Sequence, residues 1–336
     1  MKYKSCKYIQ TGIAFRHDAV TFCNKLWGIK RYEKFNIPYE EDDFYERFIR
    51  LREKTIENCK QGILPHEGCE SCPYVEEKEW DYDTRFREIE ITHWTHCNCS
   101  CCYCSMLPVT KGVMTNKKMN SEEIELYPVI KRMLEEGAIH QTAFFSITGG
   151  ELTMLKEFPA IMKLLLKQKS IRYGFCLQTN GIKYEPLLAK ALNKYKKAQI
   201  VVSIDAGSRE LFKIMKKQDK YNDVLKNMKH YIKDIKYAKD NVVAKYILVP
   251  NVNDTKAEID KWIADCKKAG IRTLHPSIEF CSQVQKNDCF RDSQAEMYNY
   301  LKDKIIENGF NIIQYDFLDN IIDNKTFDIT RKQEND

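Results

Sequence analysis

From Arg87 onward, short apolar runs alternate with segments whose apolar residues recur at helical spacing. The runs REIEITH (87–93), TAFFSIT (142–148), YGFCLQT (173–179), QIVVSI (199–204), VVAKYIL (242–248) and TLHPSI (273–278) read as strands. Between them, 121–136, 157–168, 185–196, 208–236 and 254–269 read as amphipathic helices, and another, 292–307, follows the sixth strand. Gly137 and Gly270 stand just past the last apolar turn of their segments, where helices stop. Ser208, and either Asp254 or Thr255, are the expected N-caps of two of these helices. Continuous apolar strands separated by helices belong in a parallel sheet covered by helices. Six such units predict an α/β fold, a partial (β/α)6 TIM-like barrel over residues 86–285, with 286–336 as a C-terminal helix and tail packed on it. Residues 1–85 do not follow the repeat. They hold many aromatics, one acidic helix-like stretch (40–60) and five cysteines, and are expected to form a small cysteine-rich domain.

Composition narrows the class. With 43% hydrophobic and 30% charged residues over 336 positions, the chain is globular rather than disordered. Its net charge of +6 is spread over many helices and makes no case for nucleic acid or an anionic membrane as partner. No apolar run approaches the ~20 residues of a membrane span. The opening MKYKSCKYIQ lacks the apolar stretch of a signal peptide, so a cytoplasmic location is expected.

Cysteine changes the picture. Of 14 cysteines, 10 lie in the first 104 residues, and Cys97, Cys99, Cys101, Cys102 and Cys104 crowd into eight positions. Neighbours so close mostly cannot pair as disulfides, and clustered thiols in a reducing compartment suggest metal. These five follow the first strand, and in parallel βα architectures the loops at the C-terminal strand ends build the active site. Cys97-x3-Cys101-x2-Cys104 sets three thiolates on one loop, enough to hold an iron–sulfur cubane with one iron left open. A four-cysteine cluster is instead ligand-saturated. Cys99-x2-Cys102 permits another register, a zinc knuckle closed with Cys69-x2-Cys72.

CxxxCxxC with an aromatic, Tyr103, before the last cysteine resembles the signature of the radical S-adenosylmethionine (SAM) superfamily. Further motifs follow in that family's order: Gly149, Gly150 and Glu151 after the second strand, Thr179, Asn180 and Gly181 after the third, and Ser203 and Asp205 at the fourth. The resemblance covers roughly 87–280. It implies a [4Fe–4S] cluster on Cys97, Cys101 and Cys104, with SAM contacted by Tyr103, Gly149, Gly150, Glu151, Asn180, Ser203 and Asp205. The GGE stretch would hold the amino group of SAM. The strand-end polar residues would meet its ribose and carboxylate, and Lys245 could reach a carboxylate. It further implies reductive cleavage of SAM to a 5′-deoxyadenosyl radical, a reductant such as flavodoxin or ferredoxin as partner, and an unknown substrate, with a peptide favoured over a sugar or small molecule. No side chain is assigned as catalytic, and His93 and His96 are expected to pack or support. The rival class is a non-catalytic iron–sulfur or zinc protein, an electron carrier or scaffold.

The N-terminal cysteines pose a second question. Residues 6–23 alternate like a hairpin with a cysteine at each end, and Cys69-x2-Cys72 follows later. Four thiolates from two separated segments would complete a metal site at Cys6, Cys23, Cys69 and Cys72. The arrangement resembles SPASM or twitch domains, which carry auxiliary [4Fe–4S] clusters, although those normally follow the barrel. A second cluster, a structural zinc and buried thiols all stay open on these residues. Cys59 is expected in the core of its helix, and Cys176 and Cys266 as small buried residues. Cys281 and Cys289 follow the sixth strand, where they could supply a ligand near the active site.

Overall fold

The structure, a computed structural model, describes residues 1–17, 19–23, 37–38, 43–70, 72, 74–80, 83–104, 124–169, 172–236, 239–279 and 288–313. The six expected strands are all present: β6 (Phe86–Ile91), β7 (Ile139–Ile147), β8 (Gly174–Thr179), β9 (Ala198–Ser203), β10 (Val242–Leu248) and β11 (Thr273–Ile278). They lie side by side in sequence order and pair in parallel throughout. β11 is buried at every position and β8 at all but one, so these runs read as continuous, whereas β6 and β7 carry half-buried or exposed polar positions.

The intervening helices are α3 (Tyr127–Glu135), α4 (Phe158–Lys167), α5 (Pro186–Lys194), α6 (Arg209–Lys216), α7 (Tyr221–Asp234) and α8 (Lys256–Ala269). Ser208 caps α6 by accepting from the Leu211 N–H, and Thr255 caps α8 by accepting from that of Glu258. Gly137 and Gly270 both take positive φ where their helices end. The segment 208–236 is two helices rather than one. Lys217 closes α6 in the left-handed region (φ 56°), its N–H returning to the Lys213 carbonyl. The last helix, α9 (Asp288–Glu307), packs on the barrel through Tyr298, Leu301 and Ile305, and a short β12 (Asn311–Ile312) adds to β11. Cys281 and the tail from 314 onward lie outside the described residues, as does the side chain of Cys289.

The N-terminal region is joined to the barrel by sheet and core. It contains β1 (Lys2–Ser5), α1 (Lys7–Thr11), β2 (Gly12–Phe15), β3 (Ala19–Thr21), β4 (Ile37–Pro38), α2 (Phe44–Lys60) and β5 (Glu76–Glu79). The expected hairpin over 6–23 is shorter. Cys6 precedes the single turn of α1, which buries Tyr8, Ile9 and Gln10, and only β2 and β3 form the antiparallel pair. β2 also pairs in parallel with β6, from Gly12↔Glu88 to Phe15↔Ile91, so the large sheet runs β12-β11-β10-β9-β8-β7-β6-β2-β3-β4. One hydrophobic cluster spans Phe15, Phe48, Phe86, Phe145 and Trp262. β1 and β5 form a separate antiparallel pair.

Candidate functional site

The cysteine loop leaves β6 and is gripped at once by its neighbours. The Phe15 carbonyl at the end of β2 accepts from the Thr92 N–H (2.8 Å) and hydroxyl (3.1 Å). From the end of β7, the Gly150 N–H donates to the Trp94 carbonyl (3.0 Å) and the Glu151 N–H to the His96 carbonyl (2.7 Å). This approach needs glycine: a Cβ at Gly150 would stand 2.1 Å from the His96 carbonyl oxygen, and Gly149 sits at φ 137°. The two glycines thus seat one backbone against another. Gly150→Ala should cost about 3 kcal/mol through forced backbone displacement, measured as a lower urea midpoint.

Glu151 is buried. Its Oε1 accepts from the hydroxyls of Thr179 (2.7 Å) and Thr153 (2.9 Å), and its Oε2 from the Asn180 N–H (2.7 Å). The carboxylate therefore ties the end of β7 to the end of β8. Asn180 carries the tie onward to the cysteine loop: its Nδ2 donates to Asn98 Oδ1 (2.6 Å) and reaches Cys99 Sγ (3.5 Å) and Cys97 Sγ (3.8 Å).

Within the loop, the Cys99 thiol hydrogen-bonds both Cys97 and Cys101, which lowers the pKa of each and raises its own. Cys101 is brought down to about 6, chiefly by that bond, with the Lys216 ammonium adding to it against the cost of burial. Cys104 joins the set through its N–H, which donates to the Cys101 carbonyl (3.1 Å). Cys102 is exposed, and its Sγ lies 3.7 Å from Met215 Sδ. Three thiols on one short loop, two held toward thiolate, are a donor set that fits an iron–sulfur cluster.

Asp205 follows β9 with φ 61°, a left-handed conformation that a short polar residue tolerates. It is fully buried and both oxygens are engaged: Oδ1 accepts from the Ile247 N–H (2.7 Å), and Oδ2 from the Tyr103 hydroxyl and the Lys216 ammonium. Lys216 Nζ also donates to the Tyr103 hydroxyl (2.5 Å). Burial opposes the charge on Lys216, but the Asp205 carboxylate and the Cys101 thiol outweigh it and its pKa rises. Tyr103 is held protonated by burial and by the adjacent carboxylate. Ser203 ends β9 opposite Lys245 on β10, and burial pushes the Lys245 pKa down. His93 is buried with its Nε2 3.1 Å from Glu157 Oε1, a supporting place as expected.

Sequence reasoning missed two things here. One is Lys216, whose only signal is its place in the buried stripe Leu211, Phe212, Met215, Lys216 of α6, where a lysine is out of character. The other is the clamp that the end of α6 forms on the loop. The Lys216 carbonyl accepts from the Ser100 N–H (3.1 Å), the Met215 carbonyl from the Cys102 N–H (3.0 Å), and Gln218 Nε2 donates to the Asn98 carbonyl (2.5 Å). Asn253 is a smaller omission. It is buried, and its Nδ2 donates to the Asp205 carbonyl (2.9 Å) and fixes that turn. The remaining sequence candidates, Cys6, Cys23, Cys69 and Cys72, belong to the region preceding β6. No disulfide forms among the described cysteines. Among the described residues, no helix is long and apolar enough to cross a membrane.

The chain is similar to several known proteins. GTP 3′,8-cyclase of Mannheimia succiniciproducens is 26% identical over 227 residues, 66% of this chain and 61% of that protein. GTP 3′,8-cyclase of Vibrio atlanticus is 25% identical over 200 residues, 58% of this chain and 56% of that protein. Among solved structures, Streptococcus suis SuiB bound to S-adenosylmethionine superposes with a TM-score of 0.51 at 15% identity, covering 81% of this chain and 55% of that one, a likeness of fold. The chain thus spans under two thirds of the length of these relatives. Residues 91–263, just over half of the sequence and all of the cysteine loop, match the family described as the Radical SAM superfamily, and the chain belongs to that superfamily of enzymes, whose cofactors are a [4Fe–4S] cluster and SAM.

Proposed function

We propose that this chain binds the cluster through Cys97, Cys101 and Cys104, binds SAM at the adjoining strand ends, and acts on a substrate by hydrogen abstraction. Bound there, the two cofactors supply reductive cleavage of the sulfonium C–S bond and a 5′-deoxyadenosyl radical. The observation that carries the reading is the set of direct hydrogen bonds by which Gly150, Glu151 and Asn180, Asp205 through Tyr103, and the end of α6 hold one cysteine loop in place. An electron carrier needs the thiols but not these converging polar groups.

The residues divide their work. Gly149 and Gly150 set the loop's height against β7, and Asn180 aligns its first cysteines. Glu151 keeps acceptor capacity on Oε2, where an ammonium group of SAM would bind. Asp205 is a positioning residue: its Oδ2 holds the Tyr103 hydroxyl and the Lys216 ammonium, and it acts through them. Ser203 and the half-buried Lys245 line the same end of the sheet and suit a hydroxyl and a carboxylate. A flavodoxin- or ferredoxin-type protein would deliver the electron, in the reducing cytoplasm that such a thiol-rich chain requires.

For the substrate, a peptide is the reading from sequence, and GTP is named for the relatives; the two are separable by product analysis. Anaerobic reconstitution with SAM and dithionite should release 5′-deoxyadenosine, and deuterium from a labelled substrate should appear in it. A reconstituted cluster that leaves SAM intact would overturn the proposal. Cys99→Ala should keep wild-type iron content, since Cys99 serves its neighbours as a hydrogen-bond donor; loss of about four irons would move the ligand register onto Cys99.

A further inference from the structure

The end of α6 brings a buried ammonium against the middle of the cysteine loop. The Lys216 and Met215 carbonyls accept from the Ser100 and Cys102 N–H groups, the two chain neighbours of Cys101. The Lys216 side chain is 1% exposed, and its ammonium lies 5.1 Å from the centre of the Tyr103 ring. Nζ donates to the Tyr103 hydroxyl (2.5 Å) and to Asp205 Oδ2, which accepts from that hydroxyl as well. The hydroxyl has a second acceptor, the sulfur of Cys101, with which it is also hydrogen-bonded. One hydroxyl proton thus stands between a carboxylate and a cluster-ligand sulfur, with a positive charge beside it. A buried ion pair is a weak device for stability, since apolar groups of the same volume often hold as well. A charge in a dry interior, by contrast, acts further than the same charge on a wet surface.

We infer that Lys216, with Tyr103 as its intermediary, sets the reduction potential of the cluster held by Cys97, Cys101 and Cys104. This role rests on the cluster assignment above. Reduction adds one electron to the cluster, so a nearby cation favours the reduced form and a nearby anion disfavours it. Net charge and hydrogen bonds to the sulfurs are two of the levers on such a potential, and Lys216 works both. Its ammonium attracts the added electron directly. By serving Asp205 Oδ2 and the tyrosine oxygen with its own protons, it also leaves the hydroxyl proton to the Cys101 sulfur. Asp205 pulls the other way, because its charge opposes reduction and its oxygen competes for that same proton. The carboxylate is nevertheless what keeps the lysine charged in a site where burial opposes it. The pair therefore holds the potential between the two values that either charge alone would impose.

Redox titration of the anaerobically reconstituted chain, without SAM and with the reduced cubane followed by EPR, reads this role apart from turnover. In Lys216→Met the midpoint should drop: at one applied potential the ratio of reduced to oxidised cluster falls about tenfold, equivalent to about 59 mV for one electron. Asp205→Asn should move the midpoint upward, and Lys216→Arg, which keeps the charge, should stay closer to wild type than Lys216→Met. A loop merely loosened by these substitutions has no reason to shift in opposite directions. If Lys216→Met does not fold, Tyr103→Phe loses only the hydroxyl and should still lower the midpoint through the missing hydrogen bond to Cys101. Wild-type midpoints in Lys216→Met or in Tyr103→Phe, or shifts of the same sign in Lys216→Met and Asp205→Asn, overturn the inference and leave the cluster assignment standing. Wild-type protein that takes up no reducible cubane overturns that assignment, and this role with it.

Discussion

Cys97→Ala/Cys101→Ala/Cys104→Ala protein is expected to release no 5′-deoxyadenosine above the level seen without enzyme, while wild type turns SAM over under the same reduction. The three residues are replaced together for a structural reason. Cys99 already hydrogen-bonds Cys97 and Cys101, and Cys102 lies between Cys101 and Cys104, so a single replacement leaves spare thiols next to the gap. The loop itself should survive, because its grip runs through backbone groups: Trp94 and His96 carbonyls to β7, and Ser100 and Cys102 N–H groups to α6. A far-UV spectrum matching wild type checks that point. Cleavage that persists in the folded triple variant would remove these cysteines as the cluster ligands.

The barrel was legible because most of its strands, β8 to β11, are largely buried on both faces. TLHPSI is buried throughout in β11, and such a run cannot be anything but interior. Caps were legible for a local reason, since Ser208 and Thr255 each bond a backbone N–H three residues on. The N-terminal region was harder. KYIQT folds as one helical turn in α1, and five residues are too few for periodicity to decide. Its parallel pairing with β6 joins residues about seventy-five apart, which no local pattern encodes.

In the site, spacing exposed the thiols and the strand-end polar residues but not what each touches. Gly149 and Gly150 read as room for a ligand, yet the atoms that crowd them are carbonyls of the cysteine loop. Asp205 reads as a SAM contact, and spacing does not show that its oxygens accept from Ile247, Tyr103 and Lys216. Both facts depend on which loops meet, and that is settled by the order of strands in the sheet.

Lys216→Met should be the most damaging single change outside the thiols. Lys216 is 1% exposed and Asp205 fully buried, so methionine fills the space but leaves a carboxylate without its counter-charge. Breaking one side of a buried pair costs about 3–5 kcal/mol, read as a lower urea midpoint. The Tyr103 hydroxyl loses the ammonium beside it, and Asp205 is left to hold the tyrosine alone, so the loop loosens at the residue between Cys102 and Cys104. The rate of 5′-deoxyadenosine release should therefore fall further than stability alone explains at temperatures where the protein is fully folded. Adding Asp205→Asn removes the stranded charge while an amide oxygen can still accept from Ile247 N–H. The double variant should regain part of the lost stability, as replaced buried pairs do. Lys216→Arg keeps the charge and should retain more activity than methionine. If the double variant is less stable than Lys216→Met by the full cost of Asp205→Asn alone, the two groups are uncoupled. The loop then owes its position to the backbone clamp of α6 rather than to this ion pair.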